Sequence, residues 1–395
     1  MKRIISIFFA LVIMMTAFAG LSANAVETDK WKGYTKIASA ADLLKMKNSD
    51  GKFYLTKDID LKGYGEWNEW ITFSGTLDGN GYCIKNLTST QYGLFYALSG
   101  ATVRDLGLTD VKIKSSDKHV GALTRKCLNT KVENCYVTGF VESTDPNGVA
   151  AGLIGFGYNN GGNALTNCVN MADITGFEAC GLACSDTTDT FTGCVNYGKI
   201  SGGKYAGGIC CELGAEMISC FGLGAVSVSD DSGISGGLAG KAADSGVMSG
   251  CATSSPTAVG RASSKCTIQA DTGVAKSKFK KSSMYKELDL GKTWVIGKKV
   301  NGGCPVLAIM LKNYNGSKPT ASKPAGSYKN SVKVELTTDI EGGVIRYTTN
   351  GKTPTASSKE YTKPLTIKKN TTVKAAVFVN GVMAKVVTLK YTITK

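Results

Sequence analysis

The sequence predicts an all-β chain, a parallel β-solenoid followed by a small β-sandwich. Three observations carry that expectation. A short phrase recurs around cysteine: "LTNCVNMADITG" (Leu165 to Gly176) and "FTGCVNYGKISG" (Phe191 to Gly202) share an apolar residue, a turn residue, Cys-Val-Asn and a later Ile-x-Gly. The apolar runs between turn residues are short and alternating, which fits strands rather than helices. Near the C-terminus the alternation resumes around Asn-Gly pairs at Asn350-Gly351 and Asn380-Gly381, a hairpin signature.

The chain begins with an export signal, expected over residues 1–25. Lys2 and Arg3 precede an apolar run from Ile4 to Leu21, and Ala23-Asn24-Ala25 forms an A-x-A cleavage site. The protein is therefore expected to be secreted, with retention at the cell surface through charge, and to leave the membrane after cleavage. Next, Ser39-Ala40-Ala41-Asp42 before "LLKMK" reads as a capped amphipathic helix that closes the first solenoid edge.

The repeat aligns on its cysteines, Cys135, Cys168, Cys194, Cys220 and Cys251, with Leu87 and Leu106 in the same column upstream. Three residues earlier stand Val132, Leu165, Phe191, Met217 and Met248. The residue just before is Asn134, Asn167, Gly193, Ser219 or Gly250, all suited to left-handed backbone. Six residues after come Val141, Ile174, Ile200 and Val226. Each unit also holds a Gly-apolar pair, Gly93-Leu94, Gly152-Leu153, Gly181-Leu182, Gly208-Ile209 and Gly237-Leu238. Units this small cannot bury their inner side chains alone, whereas stacked units can. Equivalent residues then lie about 4.8 Å apart, farther than the roughly 3.8 Å between Cβ atoms that a disulfide needs. The cysteine column is expected to be inward, apolar and mostly reduced. "SKFKKSSMYKEL" (Ser277 to Leu288) is a second short helical candidate, expected to cover the far edge.

These residues resemble the GLUG-repeat proteins of bacterial surfaces. "GKFYLTKDIDLKGYGEWNEWITFSGTLDGNGYCIKNL" (Gly51 to Leu87) looks like the start of such a solenoid, and "TWVIGKKVNGGCPVL" (Thr293 to Leu307) like its end, with Cys304 where an aromatic is usual. The resemblance implies a right-handed parallel β-helix over residues 26–311 and favours Trp70 as an end plug. Residues 312–324 read as a linker rich in Gly, Ser, Pro and Lys. The remainder, 325–395, is similar to the accessory domain at the C-termini of chitobiases and β-hexosaminidases, carried by Ile345-Arg346-Tyr347-Thr348, Thr353-Pro354, Tyr361 and Val373-Lys374-Ala375. That implies a small Ig-like β-sandwich without catalytic residues.

Charge divides the chain. Residues 257–395 carry 25 Lys and Arg against 7 Asp and Glu, a balance of +18, and the rest is at −3. An exported basic surface suits anionic wall polymers, extracellular glycans or a host surface better than nucleic acid.

Chemistry is sparse. His119 is the single histidine, so the two histidines of an HExxH metalloprotease are not available. No G-x-S-x-G elbow exists to partner His119 in a triad. Carboxylate pairs such as Asp230-Asp231 and Asp186/Asp189 lack the companion motifs of β-helical glycosidases. Cys180, Cys184 and the vicinal Cys210-Cys211 could gather thiolates, but one loose pair and one vicinal pair make an incomplete zinc pattern, and buried free cysteines are the simpler reading. No catalytic residue, metal ligand or cofactor is assigned. In "YGEWNEW" (Tyr64 to Trp70), Trp67 is the freer aromatic and the assigned ligand contact. The expected function is non-catalytic adhesion or glycan and cell-wall binding by a monomer. The alternatives are a carbohydrate-active enzyme and a passive spacer.

Overall fold

The computed structural model describes residues 30–158, 162–184 and 189–395. The expected export signal and Asp186 lie outside them. The chain divides into Met1–Thr35 and Lys36–Lys395, and the features below belong to the second unit.

The repeat columns become parallel β-ladders. Phe53, Leu77, Val103, Val132, Leu165, Phe191, Met217, Met248 and Ile268 stand in register on successive coils. A second column runs through Ser89, Ile113, Val141, Ile174, Ile200 and Val226. Nearly all of these side chains are buried in one continuous apolar core. Between the two columns the sequence inserts Asn170 and Asn196, both fully buried. Asn170 Nδ2 donates to Asn196 Oδ1 at 2.8 Å and to Ala172 O at 3.0 Å, so the stacked amides satisfy one another and the turn backbone.

The cysteine column points inward as expected. Cys135, Cys168, Cys194, Cys220 and Cys251 are buried and unbridged. Their thiols donate to backbone carbonyls, for example Cys168 Sγ to Val132 O at 3.4 Å and Cys194 Sγ to Leu165 O at 3.4 Å. The preceding residue turns the corner in left-handed backbone, with φ of 57° at Asn86, 52° at Asp105, Asn134 and Asn167, 53° at Ser219, and 62° and 61° at Gly193 and Gly250.

The first coil is closed by Ala40–Leu43 and a following 3-10 turn, Leu44–Met46, with the Ser39 side chain accepting from Asp42 N. Leu43 and Met46 join the core. The second expected cap differs. Ser277 to Leu288 forms two 3-10 turns, Lys278–Lys280 and Ser282–Tyr285, that lie along the side of the solenoid. Phe279 and Tyr285 are buried there with Tyr136, Val169, Val195 and Phe221, the outward residues of successive coils. Those coils present a row of apolar residues, and the segment takes that row out of water. The segment expected to be a linker is likewise packed. Ser317 is fully buried, its hydroxyl donating to Leu311 O at 2.7 Å, and Lys312 pairs with Asp58 at 2.9 Å.

Beyond it stands a small antiparallel sandwich. Val344–Thr348, Thr371–Val379 and Val387–Thr394 form its main sheet, joined in parallel by Gly326–Lys329. Val332–Val334 pairs with Leu365–Ile367 in a second layer. Asn380 and Gly381 both have positive φ, as the tight hairpin requires. At Asn350-Gly351 only the glycine does.

Candidate functional site

The outward columns of the solenoid hold two neighbouring features. The first is aromatic. Trp70 is 51% exposed and stacks on Tyr96 with centroids 3.4 Å apart, while Tyr92 meets both rings edge-on. Arg125 and Lys126 lie over Tyr96 at 5.4 and 4.9 Å, and Lys126 also faces Tyr158. Arg125 is held by Asp117 at 2.9 Å. Together Trp70, Tyr92, Tyr96, Asp117 and Arg125 border an open groove of about 420 Å³. Such a surface offers stacking faces and cations for cation–π contact.

The two tryptophans exchange the positions assigned to them from sequence. Trp67 is fully buried and its indole N–H donates to Leu94 O at 3.0 Å, so it fills the interior and has no face for a ligand. Trp70 is the exposed ring. Both lie in one irregular stretch, where no alternation tells which side chain turns inward.

The second feature is a re-entrant corner. One column there reads Gly121, Ala151, Cys180, Gly207 and Gly236. The facing column follows Thr124, Ile154, Ala183, Cys210, Ala239 and Val259 by one residue. It therefore reads Arg125, Gly155, Cys184, Cys211, Gly240 and Gly260. The columns nearly touch. A Cβ on Gly121 would stand 2.4 Å from Gly155 N, and one on Gly207 would stand 1.8 Å from Cys210 O. On the coils where glycine gives way, the side chains that meet are Cys180, Cys184 and Cys211. Their sulfurs all lie within 4.8 Å of one another. With Val149 and Ala151 they make a small buried cluster separate from the main core.

Strand alternation explains the vicinal pair. Cys210 points into the core and Cys211 into the corner. Hydrogen bonds from Cys180 and Cys184 bring the Cys211 thiol down to about 7, against its burial. Burial holds Cys180 well above the usual thiol range. Glu178 Oε2 accepts from Cys184 Sγ at 3.9 Å. The corner opens on a cleft of about 350 Å³ that also meets Lys118, His119, Phe156 and Glu212. His119 packs on Phe156 with centroids 4.5 Å apart. Burial, with Arg125 and Lys118 nearby, lowers its pKa to about 4, so the ring is neutral at pH 7.

Comparisons with known proteins cover the residues of the aromatic groove and the C-terminal sandwich. Residues 26–139 match the family profile of the M26 IgA1-specific metallo-endopeptidase N-terminal region. Residues 323–388 match the chitobiase/β-hexosaminidase C-terminal domain. The crystal structure of a candidate immunoglobulin A1 protease from Bacteroides ovatus superposes with a TM-score of 0.53 at 21% identity, over 69% of this chain and 92% of that one. At that identity the likeness concerns the fold. No curated protein matches. The expectation of a non-catalytic adhesin or glycan binder is corrected by these findings, because the solenoid's first coils match a peptidase family region. The repeat phrase misled because it reports stacking geometry, which surface proteins of many kinds share.

Proposed function

We propose that this chain has a protease-related function: it is a solenoid that seats a polypeptide substrate for cleavage. The match of residues 26–139 to the M26 IgA1-specific N-terminal region carries the proposal. Most of the aromatic groove, from Trp70 through Tyr96 to Arg125, lies within those residues. A groove with a stacked Trp–Tyr pair and flanking cations suits an extended polypeptide. Its rings pack against proline or aromatic side chains, and its basic groups meet backbone carbonyls or acidic neighbours. The target class suggested by the match is an immunoglobulin A1 polypeptide. The HExxH chemistry of zinc peptidases needs two histidines, and this sequence holds one. The role proposed for these residues is substrate engagement, exercised outside the cell after export directed by residues 1–25. The repeat phrase and its GLUG-like spacing serve to build the scaffold that presents the groove.

The test immobilises the full chain without residues 1–25 and passes immunoglobulin A1 over it, with immunoglobulin G as control. In parallel, gels follow immunoglobulin A1 fragments on incubation. Selective binding that falls at least about tenfold in Trp70→Ala is expected, about 1.4 kcal/mol for one exposed aromatic anchor. Absence of both binding and cleavage with folded protein defeats the proposal.

A further inference from the structure

We propose that Cys180, Cys184 and Cys211 form a soft-metal site of the zinc–thiolate class, with Glu178 as the fourth ligand. The proposal rests on the corner geometry and not on the function proposed above.

The three sulfurs lie within 4.8 Å of one another. Tetrahedral zinc with Zn–S near 2.3 Å holds its sulfurs about 3.8 Å apart, so the thiols need approach by only about 1 Å. Cys180 and Cys184 have the short spacing common in zinc sites, and the third sulfur comes from the next coil. The Glu178 carboxylate already contacts Cys184 Sγ at 3.9 Å, which supplies an oxygen donor on the cleft side. A disulfide uses two thiols and leaves an odd one in the same small cluster. One cation engages all three.

The wider cysteine pattern isolates this site. The inward ladder runs in a line, and its thiols are turned to backbone carbonyls of other coils. A line of stacked residues cannot close three sulfurs around one ion. The corner can, because two columns face each other there. Glycine above and below, at Gly155, Gly207 and Gly240, leaves backbone close by and shields the cluster from bulkier side chains. The cleft of about 350 Å³ gives an ion a path to the thiols. Binding releases thiol protons, leaving thiolates on the metal.

The experiment uses the full chain lacking residues 1–25, purified reduced and stripped of metal under anaerobic conditions, and titrated with Co²⁺ and then Zn²⁺. One equivalent of Co²⁺ should give a thiolate-to-metal charge-transfer band with intense tetrahedral d–d bands, and one equivalent of Zn²⁺ should bleach both. Cys180→Ser, Cys184→Ser and Cys211→Ser should each weaken Co²⁺ binding at least about 100-fold, and Glu178→Gln about tenfold. Cys210→Ala and Cys168→Ala, which alter inward thiols, should retain the signal at unchanged stoichiometry. Circular dichroism checks that each variant is folded, and Glu178→Gln decides the matter if a serine variant does not fold. The proposal is overturned if folded wild type shows no charge-transfer band. It is equally overturned if the band persists in the triple serine variant, or if peptide mapping of freshly isolated protein finds Cys180 or Cys184 disulfide-linked to Cys211.

Discussion

Replacing Gly181 by alanine tests the stacking geometry where scaffold and corner meet. Gly181 has ordinary backbone, so the constraint is space alone. A Cβ there would stand 1.9 Å from Gly208 O on the next coil, where ordinary contact begins near 3.4 Å. The oxygen belongs to backbone, so no rotamer can yield. The coils must part by about 1.5 Å, and the bonds Gly181 N to Gly207 O at 3.1 Å and Leu182 N to Ile209 O at 2.9 Å are the nearest to break. Two bonds at about 1 kcal/mol each and overpacking of about 1–3 kcal/mol give a loss of about 3–5 kcal/mol. Gly63→Ala is the control, because nothing lies within 4 Å of its Cβ; it should be neutral or stabilise by up to about 1 kcal/mol. Hydrogen exchange at residues 180–183 should accelerate in Gly181→Ala, with a lower urea midpoint for the solenoid. A stability within about 0.5 kcal/mol of wild type, with exchange unchanged, would refute the reasoning.

His119 and Asp42 each make stability depend on pH. His119 has a folded pKa of about 4 against 6.5, so the unfolded chain binds its proton first. Stability should therefore fall as pH drops from about 6.5 to about 4 and change no further below. The full shift corresponds to about 3.4 kcal/mol, and partial exposure reduces that to about 1–2 kcal/mol; His119→Gln should flatten this part of a urea-midpoint profile. Asp42 is held at about 2 by its bond to Lys45, the Ala38 amide and the Ser39 hydroxyl. Its contribution is present above about 4 and lost as pH falls through about 2, so Asp42→Asn should cost about 1 kcal/mol at pH 7 after screening and progressively less as pH falls through about 2.

The columns that carry the fold were legible because stacking writes them as repeats. Val132, Leu165, Phe191, Met217 and Met248 recur at one offset from cysteine, and they stand in register. The left-handed corner was legible for the same reason, since few residue types tolerate positive φ. Trp67 and Trp70 were not, because they lie where the chain stops alternating. The path of residues 277–317 was also hidden. It depends on the outward row Tyr136, Val169, Val195 and Phe221, whose apolar character suits a covered face but does not say which segment covers it.

The corner cysteines show what register adds. In sequence they are a loose Cys-x3-Cys and half of a vicinal pair, and neither fragment specifies a site. Their meeting depends on two further facts. Ala183 pairs with Cys210, which places Cys184 beside Cys211 on adjacent coils. Cys180 belongs to the column that faces them, where Gly121, Gly207 and Gly236 permit the close approach of backbones. A glycine column is thus informative in two ways. Its glycines mark a corner too tight for side chains, and its exceptions mark the coils where side chains must meet. The same reasoning separates Cys210 from Cys211, since alternate residues of a strand face opposite sides. Substituting Cys210 perturbs the core, whereas substituting Cys211 perturbs the corner, although the two are neighbours in the chain.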